Sequence, residues 1–152
     1  MVIRPAEADD SARILELVTA ILSKEFPGDQ AAYATDDLKN LLATYGGPGN
    51  SFFVAEENHK VIGTCGVKAE NKQTAILRRF FVDARYRDRG IGSGLLKEAL
   101  AFCRTSGFRE VVIRTSTRME KAIRLCKQLG FREDGNWTLG NVTLVRFRLR
   151  LT

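Results

Sequence analysis

Arg85, Arg87 and Arg89 stand just before two spaced glycines, Gly90 and Gly92, and all five follow the apolar run Phe80, Phe81, Val82. An amphipathic pattern begins after the second glycine. This reads as a strand passing through a Gly-rich loop into a helix. The first N–H groups of a helix lack intrahelical partners, and the helix dipole adds partial positive charge there, so the junction suits an anion. Glycine has no Cβ and lets the backbone approach a phosphate closely. The chemistry on offer is therefore the holding of a phosphate-bearing ligand. As a bare pattern the signal is weak. No Gly-Lys-Ser/Thr follows as in a P-loop, the strand sits after a meander rather than in a dinucleotide unit, and an ordinary glycine turn fits equally well.

Other chemistries find little support. Cys65, Cys103 and Cys126 are the only cysteines, odd in number, widely spaced and flanked by apolar residues. Buried reduced thiols are the plain reading, with no metal site and no disulfide framework. His59 is the one histidine and lies in the polar stretch Glu56 to Lys60, which reads as a hairpin turn. Ser-His and Cys-His catalysis are thereby set aside.

The elements that must position the loop follow from periodicity. Val2–Arg4 reads as a short strand. Asp9, Asp10 and Ser11 offer N-cap oxygens to a helix with Ile14, Leu17, Val18, Ile21 and Leu22 on one face. A second helix is predicted from about Ala31 to Tyr45. The period then changes, and Ser51–Glu56, Lys60–Val67 and Thr74–Val82 form an antiparallel meander. Gly90–Ser106 is the helix after the loop, closed by Gly107. Val111–Arg114 is a short buried strand. Thr117 and Glu120 have capping-box spacing before a helix whose stripe is Met119, Ala122, Ile123, Cys126 and Leu129. Leu144–Leu151 is the last strand. There is no internal repeat or linker, so residues 1–152 form one α/β domain.

Bulk composition agrees. The chain has 152 residues, 44% hydrophobic and 28% charged, which suits a single globular core. No apolar stretch reaches membrane-span length and no signal-peptide pattern opens the chain, so a cytoplasmic protein without membrane contact is expected. The formal charge is +6. Without a basic tail or an aromatic-interleaved basic strip, a local polyanionic ligand explains the arginines better than nucleic acid does.

With the elements in order, the segment from Leu77 to Phe131 resembles the GNAT superfamily of acyl-CoA-dependent N-acyltransferases. Their Arg/Gln-x-x-Gly-x-Gly/Ala signature stands here as Arg87-Asp88-Arg89-Gly90-Ile91-Gly92, after the apolar strand and before the Ala122 to Phe131 segment. The resemblance implies a single α/β (α+β) domain. Its central sheet would be mixed and mostly antiparallel, splayed at the strand before the Gly loop, with helices on both faces. It implies acetyl-CoA as cosubstrate, bound by Phe80, Phe81, Val82, Arg87, Asp88, Arg89, Gly90, Ile91, Gly92 and Met119. Backbone N–H groups of 87–92 would wrap the pyrophosphate, and the backbone N–H of Val82 would face the thioester carbonyl, a preorganised oxyanion donor.

The resemblance further implies transfer of an acetyl group to a primary amine of a small molecule or peptide by direct attack on the thioester. Its alternative is a coenzyme A-binding regulatory module without turnover. The family's frequent Tyr acid is replaced at Leu125-Cys126, its helix Asn by Met119, and its Glu by Ile76. A thiol can donate a proton, so Cys126 is a candidate acid, but it also fits the apolar stripe, and a core residue is the better reading. Glu25, Asp29, Glu56 and Glu57 are candidate bases that also read as surface carboxylates. Phe26 to Tyr33 would line the acceptor pocket, and the last strand would support a homodimer.

Overall fold

The computed structural model describes residues 1–27 and 34–151. Its sheet runs in the order β1-β2-β3-β4-β5-β7-β6, with β1 Val2–Pro5, β2 Ser51–Glu57, β3 Lys60–Ala69, β4 Thr74–Val82, β5 Glu110–Ser116, β6 Arg132–Leu139 and β7 Val142–Arg150. Every neighbouring pair is antiparallel except β4 and β5. That parallel pair needs a crossover, which α4 (Ile91–Thr105) supplies. The sheet is open and mixed, as the family resemblance implies.

Helices cover both faces, so the central strands are apolar on both sides. One face carries α4, whose Leu95, Leu96 and Ala99 pack with Phe53, Cys65, Val67 and Leu77. Leu95 and Leu96 are fully buried, each worth about 2 kcal/mol in removed apolar surface. Gly63 permits the close approach of α4, because a Cβ there would stand 2.9 Å from Leu95 Cδ1. The other face carries α1 (Ser11–Glu25), α2 (Asp36–Lys39) and α3 (Leu41–Tyr45). Ile14, Val18, Leu22, Leu38, Leu41 and Tyr45 pack there on Phe52 and Val54.

The β2–β3 connection is a two-residue hairpin with Asn58 at φ 52° and His59 at φ 62°. Both central residues are left-handed, as a type I′ turn requires, and this confirms His59 as a turn residue.

Three expectations change. The helix predicted from Ala31 is, within the described residues, two short helices separated at Asn40, whose ψ of 57° is not helical; residues 31–33 lie outside the described residues. The Thr117 capping box does not form. Instead Met119 N–H returns to Ser116 O at 3.0 Å, Arg118 N–H donates to Ser116 Oγ at 3.1 Å, and α5 spans Glu120–Gln128 with Met119 as its N-cap. Finally, β6 is a strand that the sequence did not announce. Its residues are mostly exposed, with Asp134, Gly135 and Asn136 giving it the composition of a loop. Pairing with β7 supplies what its own pattern lacks: Asp134 accepts from Arg146 Nε and Arg148 Nε, each at 2.6 Å.

Candidate active site

Strands β4 and β5 share register only from Thr74↔Glu110 to Leu77↔Ile113. Beyond that point β4 continues beside β3 and β5 beside β7, so the sheet parts. A β-bulge marks the same place on β4. Arg78 lies opposite Gly66 and Phe81 opposite Thr64, so Arg79 and Phe80 together face the single residue Cys65. Arg79 takes φ 56°, and Thr64 Oγ1 donates to its carbonyl at 2.7 Å.

This left-handed residue is held from outside the strand. Arg79 Nε and Nη2 donate to the Asp37 carboxylate at 3.0 and 2.6 Å, Nη2 also reaches Ala34 O, and Tyr45 OH donates to Asp37 at 2.6 Å. Burial alone would raise the Asp37 pKa, but the hydrogen bonds from Arg79 and Tyr45 hold it below the ordinary carboxylate range.

After the bulge, Asp83 N–H donates to Ile62 O at 2.8 Å, making that facing pair the hydrogen-bonded one. Antiparallel ladders alternate, so the N–H of Val82, opposite Gly63, points away from β3 into the parting. The Val82 carbonyl on that side accepts from Arg87 Nε at 3.0 Å.

The loop then turns through a 3-10 segment, Ala84–Tyr86, and enters α4 at Gly90 with φ 80°. Open space surrounds a Cβ built on Gly90, so glycine is required there by conformation rather than by crowding. The first α4 turn closes with Gly94 N–H to Gly90 O at 3.0 Å, which leaves the N–H groups of Ile91, Gly92 and Ser93 outside the helical ladder.

Two cavities flank the parting. The first, of about 650 Å3, runs from Phe80–Val82 past the loop to α5. Phe80, Phe81, Val82, Arg87, Asp88, Gly90, Ile91, Gly92 and Met119 all line it, which brings together nearly all the residues expected to bind the cosubstrate. Arg89 is the exception: its guanidinium lies 5.3 Å from the Tyr86 ring centroid and 3.8 Å from Glu57. Arg85 instead pairs with Asp83 at 3.4 Å. The Arg87 guanidinium is engaged by Glu25, with Nη2 to Oε2 at 2.8 Å, so it braces the loop as well as charging it. Sequence reasoning missed Arg124 and Lys121 of α5, which bring cationic charge to the same wall. Their i, i+3 spacing was the available signal.

The second cavity, of about 620 Å3, lies on the other side of the parting. Phe80, Phe81, Met119 and Ala122 line both cavities and form their common wall.

Cys126 lines neither cavity. It is fully buried in the core under α4, and burial pushes its thiol up to about 12. Of the candidate bases, Glu25 is engaged by Arg87, Glu56 by Arg4 and Glu57 by Arg89. Asp29 falls outside the described residues, as does most of the expected acceptor stretch; its Phe26 lines the first cavity. No group of three or more His, Cys, Asp or Glu able to hold a metal exists among the described residues. No described helix is long and apolar enough to cross a membrane.

A parted sheet, a bulged strand and a Gly loop at a helix N-terminus meet around the first cavity. The family model for the GNAT acetyltransferases matches residues 15–131, and the chain belongs to that family. Human N-acetyltransferase 8 is 31% identical over 105 residues, covering 65% of this chain and 46% of the relative. The chain spans about half the length of the curated relatives it matches. An acetyltransferase of the GNAT family from Staphylococcus aureus Mu50 superposes with a TM-score of 0.86 at 23% identity, covering 99% of each chain. A putative acetyltransferase from Salmonella typhimurium, solved with its cofactor acetyl-CoA, superposes at 0.80 with 24% identity, covering 99% of this chain and 94% of that one.

Proposed function

We propose that this chain is an N-acetyltransferase that moves an acetyl group from acetyl-CoA to a primary amine of a small molecule or peptide. The observation that carries this reading is the shared wall of the two cavities. The two cavities share Phe80, Phe81, Met119 and Ala122 where β4 leaves β5, so a donor held in one and an acceptor held in the other would meet there.

Bound acetyl-CoA supplies an activated thioester. The residues do the rest by binding, orienting and polarising. The N–H groups of Ile91, Gly92 and Ser93, with the helix dipole behind them, receive the pyrophosphate, and Arg124 and Lys121 add charge. The bare edge of β4 guides the pantetheine arm as an added strand would. The Val82 N–H, aimed into the parting, would donate to the thioester carbonyl and so stabilise negative charge developing on that oxygen. A donor of this kind is worth about 3 kcal/mol in the transition state.

Cys126 is a packing residue in this reading. A thiol is a far stronger acid than water, so the departing thiolate leaves without a buried acid and takes its proton from solvent, while the attacking nitrogen gives one up to solvent.

The test is release of free thiol from acetyl-CoA in the presence of a panel of primary amines, with transfer confirmed by the mass of the acetylated product. Saturating acetyl-CoA should also raise the melting temperature, because a ligand at 100 times its Kd stabilises by about 2.7 kcal/mol. Stabilisation without thiol release from any amine would favour a binding module over an enzyme.

A further inference from the structure

We propose that the amine acceptor carries an anionic group, carboxylate or phosphate, and that Arg78 and Lys68 receive it in the second cavity. This rests on the acetyltransferase reading of the site.

The charged residues lining that cavity are Lys68, Arg78, Arg79 and Arg114, with no Asp or Glu among the described lining residues. Carboxylates nearby match only part of this charge. Asp37 is bonded to Arg79, and Glu70 stands 3.9 Å from Arg114, whose guanidinium also lies 5.9 Å from the Trp137 ring centroid. Lys68 Nζ donates to Thr44 O at 2.9 Å, a neutral carbonyl. Arg78 makes no hydrogen bond or ion pair among the described residues. Its field reaches Asp37 and helps to keep that carboxyl ionised, but Arg79 already balances the Asp37 charge. Among the described residues, four cations against two carboxylates leave two positive charges in excess at the cavity wall.

Two consequences follow from charge alone. A polycationic acceptor meets repulsion there, and an acceptor with a carboxylate or phosphate beside its amine meets attraction; such charge-assisted hydrogen bonds are the stronger kind. The same cations disfavour an ammonium and so lower the acceptor's pKa. The attacking amine must be unprotonated, and the described lining offers no carboxylate base to make it so. An acceptor anion thus gives the cavity its affinity while the excess charge favours the free amine.

The test reads binding independently of turnover. Titration calorimetry on the coenzyme A-loaded protein compares N-acetyl-L-phenylalanine with N-acetyl-L-phenylalaninamide, and N-acetyl-O-phosphoethanolamine with N-acetylethanolamine. The expected result is that the anionic member of at least one pair binds about tenfold more tightly. The preference should vanish in Arg78→Gln and persist in Arg78→Lys. The pair that shows it separates carboxylate from phosphate. Equal or weaker binding of both anionic members, no binding of either at millimolar concentration, or a preference that survives Arg78→Gln overturns the proposal. Failure of the acetyltransferase reading looks different: the anion preference stands while no amine releases thiol.

Discussion

Arg79 and Asp37 meet through two hydrogen bonds of 3.0 and 2.6 Å, and this ion pair clamps the bulge of β4 to α2. Both side chains are nearly buried, at 7% and 9% exposure. A left-handed arginine in the middle of a strand costs free energy, so the clamp stabilises a backbone that the strand would otherwise relax. The bulge in turn sets the direction of the Val82 N–H.

Removing one partner of this pair leaves the other buried and uncompensated. Asp37→Ala is therefore expected to cost about 3 kcal/mol of stability in urea unfolding, and Tyr45→Phe about 1 kcal/mol. The pH dependence has a definite sign. The folded Asp37 pKa lies below the ordinary 3.8, so its contribution is complete above that value and is lost as pH falls through the folded pKa. Acid unfolding should begin at higher pH in wild type than in a variant lacking the titration, once each is referred to its own stability at neutral pH.

Gly90 sits at φ 80° with open space around it. Gly90→Val should cost about 1–2 kcal/mol through backbone strain and abolish the thermal shift produced by acetyl-CoA. Gly92→Val acts differently. A Cβ there lies 3.1 Å from Phe80 Cζ, so the substitution displaces a residue of the shared wall. Its acetyl-CoA shift should fall with smaller loss of intrinsic stability. Differential scanning of both variants with and without ligand checks the contrast.

Arg87 reaches Val82 O and Glu25 at once. Arg87→Ala should weaken acetyl-CoA binding about tenfold, because both loop geometry and charge are lost. Glu25→Gln keeps the arginine and removes its counter-charge, so binding should hold or improve. Equal losses in the two variants would show that the ion pair, rather than the arginine, matters.

Burial pushes the thiols of Cys103 and Cys126 up to about 12. In the unfolded chain they ionise near the ordinary 9.0. Their raised folded values mean that the stability they contribute is complete below pH 9 and is lost as pH rises toward 12. Cys126→Ala should flatten part of that alkaline decline, cost about 1–2 kcal/mol from the lost packing, and leave turnover unchanged at matched stability. A drop in turnover without a change in stability would return Cys126 to the chemistry.

Local pattern alone carried much of the fold. The period-2 runs at residues 51–82, the apolar faces of Ile14 to Leu22 and Leu95 to Cys103, and the glycines that stop helices each follow from which residues must leave water and which backbone angles only glycine adopts easily. The Gly loop was legible for the same reason, since Arg87 to Gly92 is contiguous in sequence. Strand β6 was not legible, because it is mostly exposed and forms through β7, to which Arg146 and Arg148 tie Asp134.

The sequence by itself determined most of the elements, their order and the Gly loop before α4, because these depend on neighbours along the chain. Only the tertiary structure decided that β4 parts from β5, that Arg79 is locked left-handed by Asp37 forty-two positions away, and that Cys126 points into the core. It also decided that Lys68, Arg78 and Arg114 gather around one cavity. Those outcomes depend on which strands meet across the sheet, and no local period records such a meeting.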